Sequence, residues 1–270
     1  SGSCLVKLTS GSTGTPRALA FTDAQMLADG RQVCAGMDIR DGDLNFGLIP
    51  FGHSYGLGNI VVPLLSQGTP VVCGAPALPH PMADAIARWR PTVFPAVPAL
   101  LRGLTLADIP AGHLGSLRTV ISAGAPLSAD VATAFRDKFG LKVHSFYGSS
   151  ETGGITYDRS GDAALTGRSV GTPLPGVQLQ FGRGGRFTVC SPAVYTLGNR
   201  RAVRADGGVH APADLARLNA QGELVLLGRR GRVVKIAGRR LDLGEVEQAL
   251  RQVSGVREAF VALHPGREDA

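Results

Sequence analysis

A chain of 270 residues with 44% hydrophobic and 18% charged residues has enough apolar material to bury a core, which excludes a disordered polymer. Its formal charge of +7 points to anionic partners without choosing among nucleotide, coenzyme, nucleic acid and acidic protein. Cys4, Cys34, Cys73 and Cys190 are widely spaced and form no C-x-x-C pair, which argues against zinc and a disulfide framework and suits a reducing cytoplasm.

In chain order, the apolar runs "CLVKL", "LNFGLIP", "TPVVC", "TVFPAV", "RTVISAG" and "KVHSFYG" read as strands bounded by Gly or Pro. Helical patterns separate them. In "LSADVATAFRDKFG" Ser128 is placed to cap, Asp130 falls in the first turn, Val131, Phe135 and Phe139 share a face, and Gly140 stops the helix. Repeated β–α alternation predicts an α/β layered fold with a largely parallel sheet over residues 1–170, whose ligands collect beyond the carboxyl ends of the strands. From about Val170 the texture changes to "VQLQF", "RFTVC" and "ELVLL", strands with little helix between them, predicting a small β-rich subdomain over 171–229. Residues 230–270 then read as a strand, a turn and a helix. There Asp242 and Glu245 suggest a capping box, and Leu243, Val246, Leu250 and Val253 form an apolar stripe. The cations Arg229, Arg230, Arg232, Lys235, Arg239 and Arg240 crowd one stretch, which reads equally well as a solvated face.

The stretch "LTSGSTGTPRA", Leu8 to Ala18, carries chemistry of its own. Gly11 and Gly14 permit positive φ and close approach of backbone N–H groups to an anion. Thr9, Ser10, Ser12 and Thr13 supply hydroxyl donors and Arg17 a fixed charge. A phosphate loop fits this composition, and so does an ordinary polar turn. It is not the G-x-x-x-x-G-K-[ST] pattern.

Its companions, in order, are "FGHSYGLG", "SAGAPLS", "SFYGSSETGG", "SPAV", "ADLARL" and "GRRGRVVKIAGRRLDLGEVE". With this order and content, nearly the whole chain resembles the adenylate-forming (AMP-binding) superfamily of acyl-CoA synthetases, adenylation domains and luciferases. The resemblance implies ATP-dependent activation of a carboxylic acid to an acyl-adenylate. Transfer to a thiol follows, of CoA or of a carrier protein's phosphopantetheine, with Mg²⁺ as the metal.

Residue by residue, the resemblance implies that residues 9–14 and Arg17 hold the pyrophosphate end of ATP, with arginine where the family usually has lysine. His53 falls at the acid- and phosphate-side of the pocket, as a positioning group, because a carboxylate is already ionised at neutral pH. Gly124, Ala125 and Pro126 lie along the adenine, and Tyr147, followed by Gly148, stacks on it. Ser150 contacts the α-phosphate, Glu151 binds Mg²⁺, and Asp214 grips the ribose hydroxyls. Arg229 reaches the ribose or α-phosphate, while Lys235 and Gly238 face the thiol acceptor.

Departures from the family pattern are Pro212-Ala213 ahead of Asp214, where Thr-Gly is common, and Gly231 at the hinge position, where aspartate is usual. Matched to the family, the sequence lacks the usual N-terminal portion and most of the C-terminal domain. The family's late lysine therefore has no counterpart in it. Strands that would pair with the missing portion are expected to favour self-association. No apolar run is long enough to span a bilayer, and "SGSCLVKLTS" has no signal-peptide character, so the expected location is cytoplasmic. The basic stretch 229–240 lacks interleaved aromatics, which disfavours nucleic acid. The alternative from another class is a non-catalytic nucleotide-binding relative.

Overall fold

The computed structural model describes residues 2–9, 17–196, 203–204, 207–230, 233–236, 239–253, 255–256, 259 and 261. Strands β1 (Leu5–Thr9) and β2 (Arg17–Phe21) pair antiparallel in a sheet of their own, with Leu5 opposite Phe21 and Thr9 opposite Arg17. Helix α1 (Asp23–Met37) starts from a capping box. The Thr22 hydroxyl accepts from the Gln25 N–H and the Gln25 side chain accepts from the Thr22 N–H.

A seven-stranded sheet follows, built from β3 (Asn45–Phe46), β4 (Val71–Val72), β5 (Val93–Ala96), β6 (Thr119–Ser122), β7 (Val143–Ser149), β8 (Gly153–Tyr157) and β9 (Thr172–Pro173). Its order is β4-β3-β5-β6-β7-β8-β9. The pairings from β4 to β7 are parallel, and β8 and β9 fold back antiparallel. The crossovers are α2 (Ser54–Gly56) running through a π-turn into α3 (Val62–Gln67), then α4 (Pro79–Trp89), α5 (Pro98–Leu106) and α6 (Ala129–Phe139).

Period-two alternation sends Phe94 and Val120 to one face, against Met82, Ile86, Leu101, Leu104 and Phe135, and Val93 and Ile121 to the other, against Val33, Ile60 and Phe146. Both faces are covered, so the central strands are apolar throughout. The expected strands at "TVFPAV", "RTVISAG" and "KVHSFYG" are present in the parallel part of the sheet. "CLVKL" instead supplies β1 of the separate hairpin.

Helix α6 ends where the sequence places its stop, with Gly140 at φ 71° and its N–H bonded to the Arg136 carbonyl. Phe135 and Phe139 are buried with ring centroids 4.9 Å apart. Ser128 occupies the N-cap position but makes no side-chain capping bond. After a short α7 (Asp162–Thr166), the chain forms an antiparallel sheet of β10 (Gln178–Phe181), β11 (Phe187–Ser191), β12 (Val203–Arg204) and β13 (Gly207–His210). Two hairpins follow, β14 (Asp214–Leu218) with β15 (Leu224–Arg229), and β16 (Val233–Ile236) with β17 (Arg239–Asp242), before helix α8 (Leu243–Arg251). The expected apolar stripe of α8 is buried only at Leu243; Leu250 is exposed, and Val253 lies past the helix end. The side chains of Asp242 and Glu245, expected to cap it, lie outside the described residues.

Asp43, buried at the start of the sheet, accepts bonds from the Arg40 N–H, the Thr92 hydroxyl and the Arg118 guanidinium. Burial pushes its carboxyl up, but these donors outweigh that and hold it below the usual carboxylate range. A depressed native pKa contributes stability that is present above the unfolded value and lost as pH falls through the folded one. Asp43→Asn is therefore expected to lower Tm at pH 7 and to shrink the loss of Tm between pH 5 and pH 3, measured by calorimetry across that range.

Candidate functional site

Gly124 ends the turn after β6 at φ 83°, a conformation that favours glycine, and Gly124, Ala125 and Pro126 are exposed at the carboxyl edge of the sheet. Next to it, β7 carries Tyr147, Gly148 and Ser149, with Ser150 and Glu151 in the turn to β8. A register shift falls between Tyr147 and Gly148, and a Cβ on Gly148 would meet the Gly153 carbonyl oxygen at 2.5 Å. Only glycine lets the two strands approach there.

The half-buried Tyr147 phenol donates to Asp214 Oδ2 at 2.8 Å, joining the large sheet to β14. Burial, with the Asp214 charge beside it, drives this phenol's pKa far up, so it remains a donor at any physiological pH. Across the hairpin Asp214 pairs with Arg229, whose Nε lies 4.0 Å from Asp214 Oδ1. Tyr147, Asp214 and Arg229 thus share one corner.

On the other side, Ser150 Oγ is 2.8 Å from Ser54 Oγ, which brings the "SSET" turn against the loop that contains His53. His53 is exposed, and its Nδ1 accepts from the Tyr55 N–H at 3.2 Å, capping α2. An accepting Nδ1 leaves Nε2 as the N–H donor of the neutral ring. Buried Tyr55 packs on Phe146 and donates to the Ile121 carbonyl, so the His53 loop is anchored to the sheet.

Glu151 is half-buried, and its carbonyl accepts from the Tyr195 N–H at 3.0 Å. A single carboxylate beside a hydroxyl suits a hard cation whose other ligands are phosphate oxygens and water. Among the described residues no group of three His, Cys, Asp or Glu could hold a metal by itself.

Of the other expected site residues, Ser10 to Gly14 and Gly238 lie outside the described residues, as do the side chains of Thr9, Arg17 and Lys235. Two charged groups that no motif singled out lie behind the site. Lys7 and Asp29 are 8% and 4% exposed, and the Asp29 carboxylate accepts from the Gly154 N–H, just past Glu151. A lysine between two apolar residues in a strand, and an aspartate inside a helix, give no local signal of burial.

The sequence pattern of the AMP-binding enzyme family matches residues 3–181, and the chain belongs to that family. It is 30% identical to the L-proline–[L-prolyl-carrier protein] ligase of Streptomyces coelicolor, over 94% of this chain and 52% of that protein. It is 29% identical to the benzoate–CoA ligase of Thauera aromatica, over 96% of this chain and 52% of that one. Among solved structures, the O-succinylbenzoate coenzyme A synthetase of Bacillus subtilis in complex with AMP has the same fold. The TM-score is 0.84 at 23% identity, with 99% of this chain and 58% of that one covered. The chain spans about half the length of the curated relatives it matches. Among the described residues, no helix is long and apolar enough to cross a membrane.

Proposed function

We propose that this chain carries the nucleotide- and acid-binding part of an ATP-dependent carboxylate ligase. A carboxylate oxygen attacks the α-phosphorus of ATP, the bond to the β-phosphate breaks, and pyrophosphate leaves an acyl-adenylate. A thiol, with CoA as the acceptor, then attacks the acyl carbon and releases AMP, its proton passing to solvent. The observation that carries the reading is the corner formed by Tyr147, Asp214 and Arg229 beside the Ser150–Glu151 turn, at the carboxyl edge of the parallel sheet.

In this reading the two Asp214 oxygens accept from a vicinal diol, and the Tyr147 bond fixes the carboxylate for that task. Tyr147, Gly124 and Ala125 flank the base, and Gly148 lets it approach the strand. Ser150 Oγ and Arg229 donate to the α-phosphate, and His53 Nε2–H orients the incoming carboxylate. Residues 9–14 and Arg17 would hold the β- and γ-phosphates, while Lys235 and Gly238 would face the thiol. Glu151 would hold Mg²⁺, which supplies neutralisation of charge on the phosphates. The protein otherwise works by alignment of the attacking oxygen and by preplaced donors. The small uncharged residues of "SYGLG", "SAG" and "GSS" suit a carboxylate that carries an uncharged acyl or aryl group. A carrier-protein thiol is the second reading, favoured by the identity to a carrier-protein ligase.

Carboxylate-dependent exchange of labelled pyrophosphate into ATP tests the first half-reaction, with a pooled set of aliphatic and aromatic acids. Exchange is expected; ATP binding without exchange for any acid would favour a non-catalytic nucleotide-binding role. Tyr147→Phe keeps the ring and removes the bond to Asp214. It is expected to weaken AMP binding about tenfold by calorimetry, the value of one hydrogen bond to a charged group.

A further inference from the structure

Positive charge is gathered in one part of the chain. Residues 171–240 carry twelve Lys and Arg against three Asp and Glu, while the rest of the chain carries sixteen against eighteen. Within this part a cavity of about 280 Å³ lies between the turn that joins β10 to β11 and the start of β14. Arg186, Phe187 and Thr188 line it on one side and Pro212 and Leu215 on the other, and Arg230, just past β15, completes the wall. Phe187, Pro212 and Leu215 are buried, whereas both arginines are exposed. Among the described residues, neither guanidinium has an ion-pair or hydrogen-bond partner. The backbone holds the hollow in shape. The Gly182 N–H donates to the Arg186 carbonyl at 2.8 Å, and a Cβ on Gly185 would lie 3.3 Å from Leu227 Cδ1 and 3.5 Å from Leu215 Cβ, so this turn rests on the β14–β15 hairpin. On the far side the Arg230 N–H donates to the Ala213 carbonyl at 2.7 Å, next to the rung on which Asp214 faces Arg229.

The geometry points to a second anion site in this cavity, separate from the corner of Tyr147, Asp214 and Arg229, that takes a small organic phosphate with an apolar body. Two unpaired guanidinium groups suit a dianion, because each presents a fork of donors that matches phosphate oxygens. The buried apolar residues of the wall suit a hydrocarbon or aryl body. Inorganic phosphate shares the charge and lacks the body. The site also adjoins the nucleotide corner through the backbone, since Pro212 and Leu215 bracket Asp214 and Arg230 follows Arg229. A ligand that holds Arg230 to the β10–β11 turn steadies Asp214 in its bond to Tyr147 and so tightens nucleotide binding. That coupling rests on the nucleotide reading of the corner; the anion site does not.

Phenyl phosphate and inorganic phosphate are the probes, titrated by calorimetry with and without saturating AMP. Phenyl phosphate is expected to bind about tenfold more tightly than inorganic phosphate, through burial of its ring, and to bind still when AMP is saturating. Arg186→Gln and Arg230→Gln are each expected to weaken it about tenfold, the value of a hydrogen bond to a charged group, with Tm unchanged because both side chains are exposed. Arg217→Gln, in the same basic part but outside the wall, is expected to leave its affinity at the wild-type value. AMP affinity is expected to rise about fivefold in saturating phenyl phosphate, and by linkage phenyl phosphate affinity rises equally in AMP.

Displacement of phenyl phosphate by AMP would put it in the nucleotide corner and overturn the second site. So would binding of neither probe, or a loss in Arg217→Gln as large as in Arg186→Gln, which is the mark of diffuse attraction. Equal affinity for the two probes would overturn the organic ligand. An AMP affinity indifferent to phenyl phosphate would overturn the coupling. If AMP does not bind at all while Arg186 and Arg230 still hold phenyl phosphate, the nucleotide reading fails and the anion site stands.

Discussion

Glu151→Gln is expected to abolish most pyrophosphate exchange while leaving the fold intact. The change is isosteric, and the contact by which this residue ties the turn to Tyr195 is made by its backbone carbonyl, which the substitution keeps. What disappears is the negative charge. In the proposed reaction the phosphates develop charge as pyrophosphate departs, and the carboxylate anchors the ion that compensates it. Such stabilisation is worth several kcal/mol, so exchange should fall on the order of a hundredfold or more. ATP binding in EDTA should stay within about twofold of wild type, because an amide and a carboxylate differ there only in long-range charge screened by solvent. Exchange that survives in Glu151→Gln at near wild-type rate would remove this residue from the metal's coordination. A fall in Tm as large as the fall in rate would assign it a structural role instead.

The largest expected effect on stability lies away from that turn, at Gly171. This residue has φ 82°, and a Cβ there would meet the Tyr157 carbonyl carbon and oxygen at 2.2 Å. Backbone cannot yield as a flexible side chain would. Gly171→Ala must therefore push β9 off β8, where Tyr157 pairs with Thr172, or change its own φ. Either movement also strains the link to β15, because the Gly171 carbonyl accepts from the Leu224 N–H at 2.8 Å and the Val170 N–H donates to the Leu224 carbonyl at 2.9 Å. Overpacking and a left-handed non-glycine residue together cost about 2–5 kcal/mol. Denaturant unfolding should show a lower midpoint by that amount. A shift below about 0.5 kcal/mol, the range of ordinary surface substitutions, would mean that the junction between the large sheet and β14–β15 is soft.

The parallel sheet was legible because its strands are short apolar runs closed by Gly and Pro, and because α6 has a helical stripe and a glycine stop. These are local signals. The strand order and the separation of β1 and β2 into their own hairpin were not legible, since they depend on pairings between distant segments. The same holds within the candidate site. Tyr147, Ser150, Glu151, Asp214 and Arg229 stood out through motif order, and the structure adds the contacts of Asp214 with Tyr147 and Arg229, which no spacing encodes. His53 stood out as a lone histidine in an apolar loop, whereas its tautomer follows from a backbone N–H two residues on. Lys7 shows the limit most sharply. Alternation in "LVKLT" puts Val6 and Leu8 inward and the lysine outward, whereas in the structure Lys7 is buried, with its Nζ over the Phe21 ring, and Val6 and Leu8 are exposed.

The Tyr147–Asp214 bond has a mechanical consequence. It spans two separately built sheets, so sliding of the β14–β15 hairpin along the edge of the large sheet is the motion that would break it. A ligand lodged in that corner would act as a wedge glued to both plates. It would resist the slide and slow amide exchange at the Asp214 end of β14 more than in the middle of β6. Binding would then be felt as stiffness in a hairpin far along the chain from the loop where the phosphates are expected to sit.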